Sequence, residues 1–272
     1  TLLSRSPAHA KYEQEHRHAV SSAMDIGTAA HQLFLEGSEA NIVVVDAENW
    51  KTKAARAARD LAHIDGGTPI LAPMLEEIRE MVKAARAYVA STELASVFSN
   101  GVPEETILWQ EGDLWCKARP DWLSHDHKTI VHFKTTARSA NPDGFAAHMV
   151  DMGYDVAAAF YARGIASLDP TGFPVWAHEV RTVFLVQETD PPYCCSLVGL
   201  APGLMELGIL KVERAIAVWT GCVASGQWPA YPTEICYAEP RGWQITQMAE
   251  KALSWGDQDA YERIIELSGG VA

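Results

Sequence analysis

The sequence predicts a single α/β domain in which a short sheet is flanked by helices. Strand-like runs of alternating apolar residues are grouped in the middle of the chain, and segments with helical periodicity stand on both sides of them. A hydrophobic fraction of 48% in 272 residues is sufficient for a large core. Because the chain has no internal repeat, linker or low-complexity tract, we expect residues 1–272 to form one domain.

The first third of the chain is predicted to be mainly helical. A helix begins at Ser22 or Asp25 and ends before Gly37, because serine and aspartate are good N-caps and glycine commonly follows a helix. The next elements, in order, are a short buried strand at 41–45, an Ala/Arg-rich helix at 52–62, a Gly/Pro loop at 65–69 and a long helix that starts near Pro73.

The remainder of the chain is predicted to contain both element types. Strands are recognised by β-branched and aromatic residues between turn signals, and helices by longer periodic segments. The predicted elements are three strands at 105–110, 114–123 and 128–136, helices at 143–151 and 153–166, a strand pair at 176–188 and 193–200, a helix over 202–225 and a helical tail.

Composition limits the possible functions and locations. The formal net charge is −13, which argues against a protein coated with nucleic acid but leaves room for a local basic groove. The five cysteines are odd in number and form no C-x-x-C pair, which disfavours disulfide, zinc and iron–sulfur sites. No apolar stretch approaches the roughly 20 residues of a membrane span. We therefore expect a cytoplasmic protein with no membrane partner, and, since the chain lacks an initial Met, further residues before Thr1.

The strand–turn–strand segment 119–136 is the most informative part of the sequence. Asp121 ends the first strand, and His132 and Lys134 lie two residues apart on the second, which places both on one face of the sheet. A hairpin register that brings Asp121 alongside would put a carboxylate, an imidazole and an ammonium group in one small volume. Taken alone, this pattern is a weak indicator of chemistry, since such residues are common on sheet surfaces.

This segment resembles the core of the PD-(D/E)XK nuclease superfamily, and within it the RecE-like exonucleases of phages and prophages (the exonuclease VIII group). The pattern in that group is Pro-Asp, a short turn and then Asp/Glu-x-Lys on the next strand. Pro120, Asp121 and Lys134 match it, and two threonines follow the lysine as is usual there.

The resemblance extends over nearly the whole chain, with its core motifs between residues 27 and 161. Gly27 and His31 are similar to the G-x-x-x-H helix of the group, and Glu105 with Trp109 resembles its E-x-x-x-W strand. The resemblance implies a restriction-endonuclease-like core, a short mixed sheet flanked by helices. It also implies digestion of linear double-stranded DNA from 5′ ends, in phage-type recombination.

Phosphodiester hydrolysis of this kind requires a divalent ion, here Mg²⁺ or Mn²⁺, which polarises a phosphoryl oxygen and lowers the pKa of a water molecule. A nearby lysine can orient or deprotonate that water. The candidate catalytic residues are Asp121, Lys134 and Glu105. The candidate metal ligands, partly from the resemblance, are His31, Asp121, His132 and the backbone carbonyl of Phe133.

Two positions depart from the family pattern. His132 stands where Asp or Glu is expected, and Ala157 stands where Gln is usual in the following helix. Since Mg²⁺ takes imidazole poorly whereas Mn²⁺ accepts it, the first departure bears on metal choice. Three interpretations stay open: a nuclease that uses a transition metal, an inactivated nuclease, or a catalytically dead fold that serves as a DNA-binding or regulatory module.

Four residues near the core are candidates for DNA contacts: Arg119, Arg138, Tyr154 and Tyr161. Together with Lys117 and Arg163, the two arginines predict a local basic cleft in an acidic protein. The expected partners are double-stranded DNA ends, a single-strand annealing protein and further copies of the chain in a homo-oligomer. The expected setting is the cytoplasm of a bacterium or a phage-infected cell.

Overall fold

A computed structural model describes residues 5–16, 21–168 and 179–268. Its helices are α1 (Pro7–Glu15), α2 (Ser22–Leu35), α3 (Lys53–Ile64), α4 (Ala72–Ala90), α5 (Leu94–Phe98), α6 (Pro142–Asp151), α7 (Tyr154–Ala166), α8 (Pro202–Ser225), α9 (Gly242–Ser254) and α10 (Gln258–Ser268). Its strands are β1 (Ile42–Val45), β2 (Thr68–Leu71), β3 (Gly101–Pro103), β4 (Ile107–Glu111), β5 (Leu114–Ala118), β6 (Trp122–Ser124), β7 (Thr129–Thr136), β8 (Arg181–Glu188) and β9 (Cys195–Gly199). Within these ranges no helix combines the length and apolar character needed to cross a bilayer.

The central sheet is mixed and has the strand order β3-β6-β7-β8-β9. β6 and β7 form an antiparallel hairpin, whereas β7 and β8 run parallel in register over eight residue pairs. Two smaller sheets complete the strands: the β4–β5 hairpin and a parallel β1–β2 pair connected through α3. The predicted α/β fold with a short mixed sheet flanked by helices is confirmed.

The apolar side chains of β8 alternate between the two faces of the sheet, and both faces are covered by helices. Val183 and Leu185 pack into one apolar cluster with residues of α2 and α4, and Phe184 and Val186 pack into another with residues of α6. Successive side chains of a strand point to opposite faces, so an apolar run produces a strand buried on both sides. The site-bearing strand β7 lies next to β8 in this protected position.

The chain divides into two compact units, Thr1–Pro229 and Ala230–Ala272. The first contains all the strands described here and α1 to α8, and the second contains α9 and α10. The organisation of residues 1–272 as one domain stays a prediction.

Several predicted boundaries were wrong. The loop assigned to 65–69 runs into β2, which pairs with β1. The strand at 41–45 is only partly buried, since Val43 and Val44 are 40% and 49% exposed whereas Val45 lies in the core. The strand assigned to 114–123 is two strands, β5 and β6, which belong to different sheets. Residues 176–178 of another predicted strand lie outside the described residues. The sequence analysis also missed α1, α5 and β3.

At Gly208, helix α8 lies in close contact with α7. A Cβ atom at this position would collide with the backbone carbonyl of Asp155 and press against the side chain of Ala159. Glycine is therefore required by the packing of the two helices, although it costs helix stability.

We expect Gly208→Ala to lower the free energy of unfolding by about 1–3 kcal/mol, because the added methyl group overpacks the contact between α7 and α8. Gly221→Ala on the same helix is the matched control, since a Cβ there meets open space. The control should leave stability unchanged or raise it by up to about 1 kcal/mol. Urea unfolding followed by circular dichroism measures both, and equal effects would contradict the packing argument.

Candidate metal centre

An open cleft of about 820 Å³ lies between α2, the start of β6 and the second half of β7. Its wall includes His31 of α2, Glu104 after β3, Asp121 before β6 and Lys134 of β7. Asp121 and Lys134 belong to one strand–turn–strand segment, and the fold brings His31 and Glu104 to it from other parts of the chain.

Asp121 is the centre of the cluster. Trp122 pairs with Val131 in the β6–β7 hairpin, so the predicted register brings Asp121 beside the end of β7 that carries His132 and Lys134. Its Oδ2 accepts hydrogen bonds from the Phe133 backbone N–H at 2.9 Å and from Lys134 Nζ at 3.3 Å. The carboxylate is therefore fixed by the backbone of the neighbouring strand as well as by side chains.

Two imidazoles also contact this carboxylate. His31 Nε2 lies 3.2 Å from Asp121 Oδ2, and His132 Nδ1 lies 3.2 Å from Oδ1. Burial by itself would raise the pKa of the Asp121 carboxyl, but hydrogen bonds from both histidines and the charge of Lys134 outweigh it and hold that pKa well below its ordinary value. Asp121 is thus an anion throughout the physiological pH range.

Gly27 explains how α2 delivers His31 to the cleft. A Cβ atom on Gly27 would lie 3.1 Å from the Thr135 hydroxyl oxygen of β7, so the helix and the strand are in close contact at this point. His31 follows four residues later and hence on the same face of the helix. The spacing of the G-x-x-x-H pattern has this packing reason.

Glu104 is the functional candidate that the sequence analysis missed. Its Oε1 lies 3.5 Å from His31 Nε2, and its Oε2 forms an ion pair with Arg119 Nε at 2.8 Å. Burial raises the pKa of the Glu104 carboxyl, against the opposing charges of His31 and Arg119. The predicted residue was its neighbour Glu105, which is exposed and does not line the cleft.

The backbone accounts for this shift by one residue. Glu104 has a φ of 54° in the left-handed region, and its N–H donates to the carbonyl oxygen of Asp121 at 3.2 Å. This turn at the end of β3 directs Glu104, not Glu105, toward the cluster. The adjacent Glu104-Glu105 pair was visible in the sequence, but the left-handed residue was not.

His132 occupies a different position from the one predicted for a metal ligand. Its side chain is 3% exposed, and its ring packs between Tyr161 and Phe184, with centroid distances of 5.0 and 5.3 Å. Burial lowers the pKa of the imidazole despite the nearby Asp121, so the ring is neutral. His132 contacts the Asp121 carboxylate and does not line the cleft.

Among the described residues, the structure groups His31, Glu104 and Asp121 as a set whose donor atoms all lie within 4.8 Å of one another. One imidazole nitrogen and two carboxylates fit a divalent ion, and the nitrogen favours Mn²⁺ over Mg²⁺. His132 is outside this set, and its ring is buried in contact with Asp121, Tyr161 and Phe184. Phe133 lines the cleft, and a role for its carbonyl as a ligand stays a prediction.

The candidate DNA contacts are dispersed. Arg119 and Tyr154 line the cleft, and Lys134 Nζ lies 5.9 Å from the Tyr154 ring centroid. Tyr161 instead packs against His132, and Arg138 is exposed beyond the end of β7 without lining the cleft.

The predicted basic character of the cleft was wrong. The charged residues along its wall are Arg119, Lys134, Glu36, Glu104 and Asp121, with His31 beside them. Arg163 is engaged elsewhere, because its guanidinium holds the Glu111 carboxylate through two nitrogens. The cleft thus has a mixed charge, with carboxylates at the position where a cation would bind.

We expect Asp121→Ala to lower the free energy of unfolding of the metal-free chain by about 1–3 kcal/mol, because the Phe133 N–H and the His132 ring lose their buried partner. Glu104→Ala should cost less, since its partner Arg119 is 61% exposed and can turn to water. Urea unfolding in the presence of a chelator compares the two. An equal loss in both variants would show that Asp121 is not the centre of the network.

The chain has similarity to known proteins at the levels of structure and family. Among solved structures, the chain is similar to a candidate exonuclease from Eubacterium rectale, at 14% identity and a TM-score of 0.49, over 87% of this chain and 83% of that one. This likeness is too distant to inform function. No curated protein matches the chain significantly. The family model of a PDDEXK-like domain matches residues 2–239, which confirms the predicted superfamily. The chain therefore belongs to the family described as "PDDEXK-like domain of unknown function (DUF3799)".

Proposed function

We propose that this chain is a metal-dependent nuclease that hydrolyses phosphodiester bonds of linear double-stranded DNA. The observation that carries the proposal is the group of His31, Glu104 and Asp121 at one point of the cleft, with Lys134 beside Asp121. Two carboxylates, an imidazole and a lysine around one open volume are suited to cation-assisted attack of water on a phosphate. Membership of a PDDEXK-like family supports the same chemistry.

His31, Glu104 and Asp121 would hold the divalent ion, which polarises the scissile phosphate and lowers the pKa of a water molecule. Lys134 has its ammonium group at the cleft wall, where it can orient that water and stabilise negative charge that develops on the phosphate. The Tyr154 ring lies 5.9 Å from Nζ, within range of a cation–π contact with this lysine.

The finer features of the proposal come from the resemblance to RecE-like exonucleases. They are digestion from 5′ ends, release of a 3′ single strand to an annealing protein, assembly of the chain into a homo-oligomer, and action in the cytoplasm of a bacterium or phage-infected cell. The open cleft supports access for a strand end. The acidic net charge of −13 supports a local DNA contact over coating of long duplexes.

A second candidate function is a PD-(D/E)XK fold that binds DNA or regulates a partner without catalysis. The observation in its favour is His132, a buried neutral imidazole where the family pattern has a carboxylate. Ala157, which replaces the usual Gln, lies half-buried on α7 and adds no polar group. Metal binding and strand cleavage distinguish the two functions.

We expect one Mn²⁺ to bind the metal-free chain, and to bind more tightly than Mg²⁺, because one of the three ligands is an imidazole. Glu104→Gln should weaken Mn²⁺ binding about tenfold or more, because loss of a ligand carboxylate should cost at least as much as loss of a group that only orients a ligand. Isothermal titration calorimetry measures these affinities. Glu105→Gln is the matched control and should bind like the unmodified chain, since Glu105 is exposed and outside the cleft. Absence of any binding event would favour the second function.

We expect the double variant His132→Asp, Ala157→Gln to digest end-labelled linear duplex about 10- to 100-fold faster than the unmodified chain in Mg²⁺, because it regains an oxygen donor beside Asp121. Adding Lys134→Ala to the double variant should abolish the gain. The assay is run in Mg²⁺ and separately in Mn²⁺. If neither folded protein cleaves DNA with either ion, the nuclease function is wrong and the DNA-binding module takes its place.

A further inference from the structure

The outer face of the β4–β5 hairpin carries a line of aromatic and basic side chains that the proposed metal centre does not use. Trp115, Lys117 and Arg119 alternate along β5 and the residue after it, so they share one face of the strand. Trp115 is 71% exposed, and Leu108, which pairs with Lys117 across the hairpin, is 56% exposed. Trp115 and Leu108 lie on the same face of the hairpin, and neighbouring exposed apolar side chains of this kind can form a contact surface.

This line of side chains runs into the cleft. Arg119, at its end, lines the cleft and pairs with Glu104 of the proposed metal centre. Among the described residues, Lys117 forms no ion pair, and the nearby carboxylate of Glu111 is already neutralised by Arg163. Since Arg119 is paired with Glu104, Lys117 is the cation that this face offers without a carboxylate partner among the described residues, in a chain with a net charge of −13.

An apolar groove of about 290 Å³ adjoins the same strand. Trp115 and Lys117 border it on one side, and Phe160 of α7 and Ile216 and Trp219 of α8 border it on the other. A flat aromatic group that entered from the hairpin face would contact Trp115 and the apolar walls. An anionic group attached to it would lie near Lys117. Nucleotides have this combination of a flat apolar base and an anionic backbone.

We propose that the hairpin face and this groove form a subsite for single-stranded DNA next to the cleft. A base stacks on Trp115 at the groove, and Lys117 and Arg119 bind backbone phosphates on the way to the metal centre. The inference rests on the proposed function and specifies it: the strand that reaches the cleft is unpaired at this point. Charge complementarity and the continuity through Arg119 favour DNA over an apolar protein segment, which has no need of the two cations.

The dimensions of the strand are consistent with this substrate. A β-strand rises about 3.3 Å per residue, so Lys117 and Arg119 are about 7 Å apart along it. That distance corresponds to about two nucleotide steps of a stacked DNA strand, or fewer when the strand is extended. Stacking on aromatic side chains tolerates any base, so the subsite needs no sequence preference.

The test is binding of a fluorescein-labelled oligothymidylate to the full chain in the presence of a chelator, followed by fluorescence anisotropy. Trp115→Leu should weaken binding by about 5- to 100-fold, and Trp115→Phe should restore most of the affinity, because the aromatic face is what stacks. Lys117→Ala should lower the slope of log affinity against log salt by about 0.7, as expected for one lost phosphate contact on a single strand. Lys83→Ala, a change at an exposed lysine of α4, is the control and should alter neither quantity.

Three outcomes would overturn the subsite: no binding of the single strand by the unmodified chain, equal affinity of Trp115→Leu and the unmodified chain, or equal weakening by the Leu and Phe variants. If circular dichroism shows that Trp115→Leu is unfolded, Lys117→Ala decides the test alone. A salt slope of this variant equal to that of the unmodified chain would then overturn the subsite. Because the assay contains no metal ion, its result is independent of cleavage. Loss of the nuclease function with intact single-strand binding, or the reverse, is therefore recognisable.

Discussion

The carboxylate of Asp121 is the group on which the arrangement of the cleft depends. It lies at the junction where the chain passes from the β4–β5 hairpin into the central sheet, and it accepts a hydrogen bond from the backbone of β7. A buried anion without partners would be strongly destabilising, and here two imidazoles and an ammonium group surround it. Because His31 comes from α2 and Lys134 from β7, satisfying one anion also fixes the helix and the strand relative to each other.

Much of this centre could be predicted because it follows from local rules. Alternation along a strand placed Lys134 and His132 on the face of Asp121, and the G-x-x-x-H pattern placed His31. Glu104 could not be found in this way, since its orientation depends on a left-handed backbone turn held by Asp121. β2 was hidden for a related reason: its Gly/Pro-containing segment becomes a strand only by pairing with β1 across α3.

His132 shows the limit of pattern matching more clearly than any other residue. The sequence identifies the replaced position, yet the burial of the imidazole beneath Asp121 depends on Tyr161 and Phe184, which come from other elements. A carboxylate at this depth would be a second anion beside Asp121, whereas the neutral His132 ring carries no charge. Compared with the carboxylate of the family pattern, the neutral ring adds no negative charge beside Asp121 and hydrogen-bonds to it, which favours the metal-free fold.

The separation of His31 from Asp121 along the chain has a thermodynamic consequence. The two residues are 90 positions apart, so an ion held between them at the proposed site would act as a reversible cross-link that closes a long loop. Such a cross-link would be absent from the unfolded chain, so the folded state would gain stability with the logarithm of the free ion concentration. The proposed site would thereby couple the heat tolerance of this protein to the supply of divalent cations around it, even where no DNA is present.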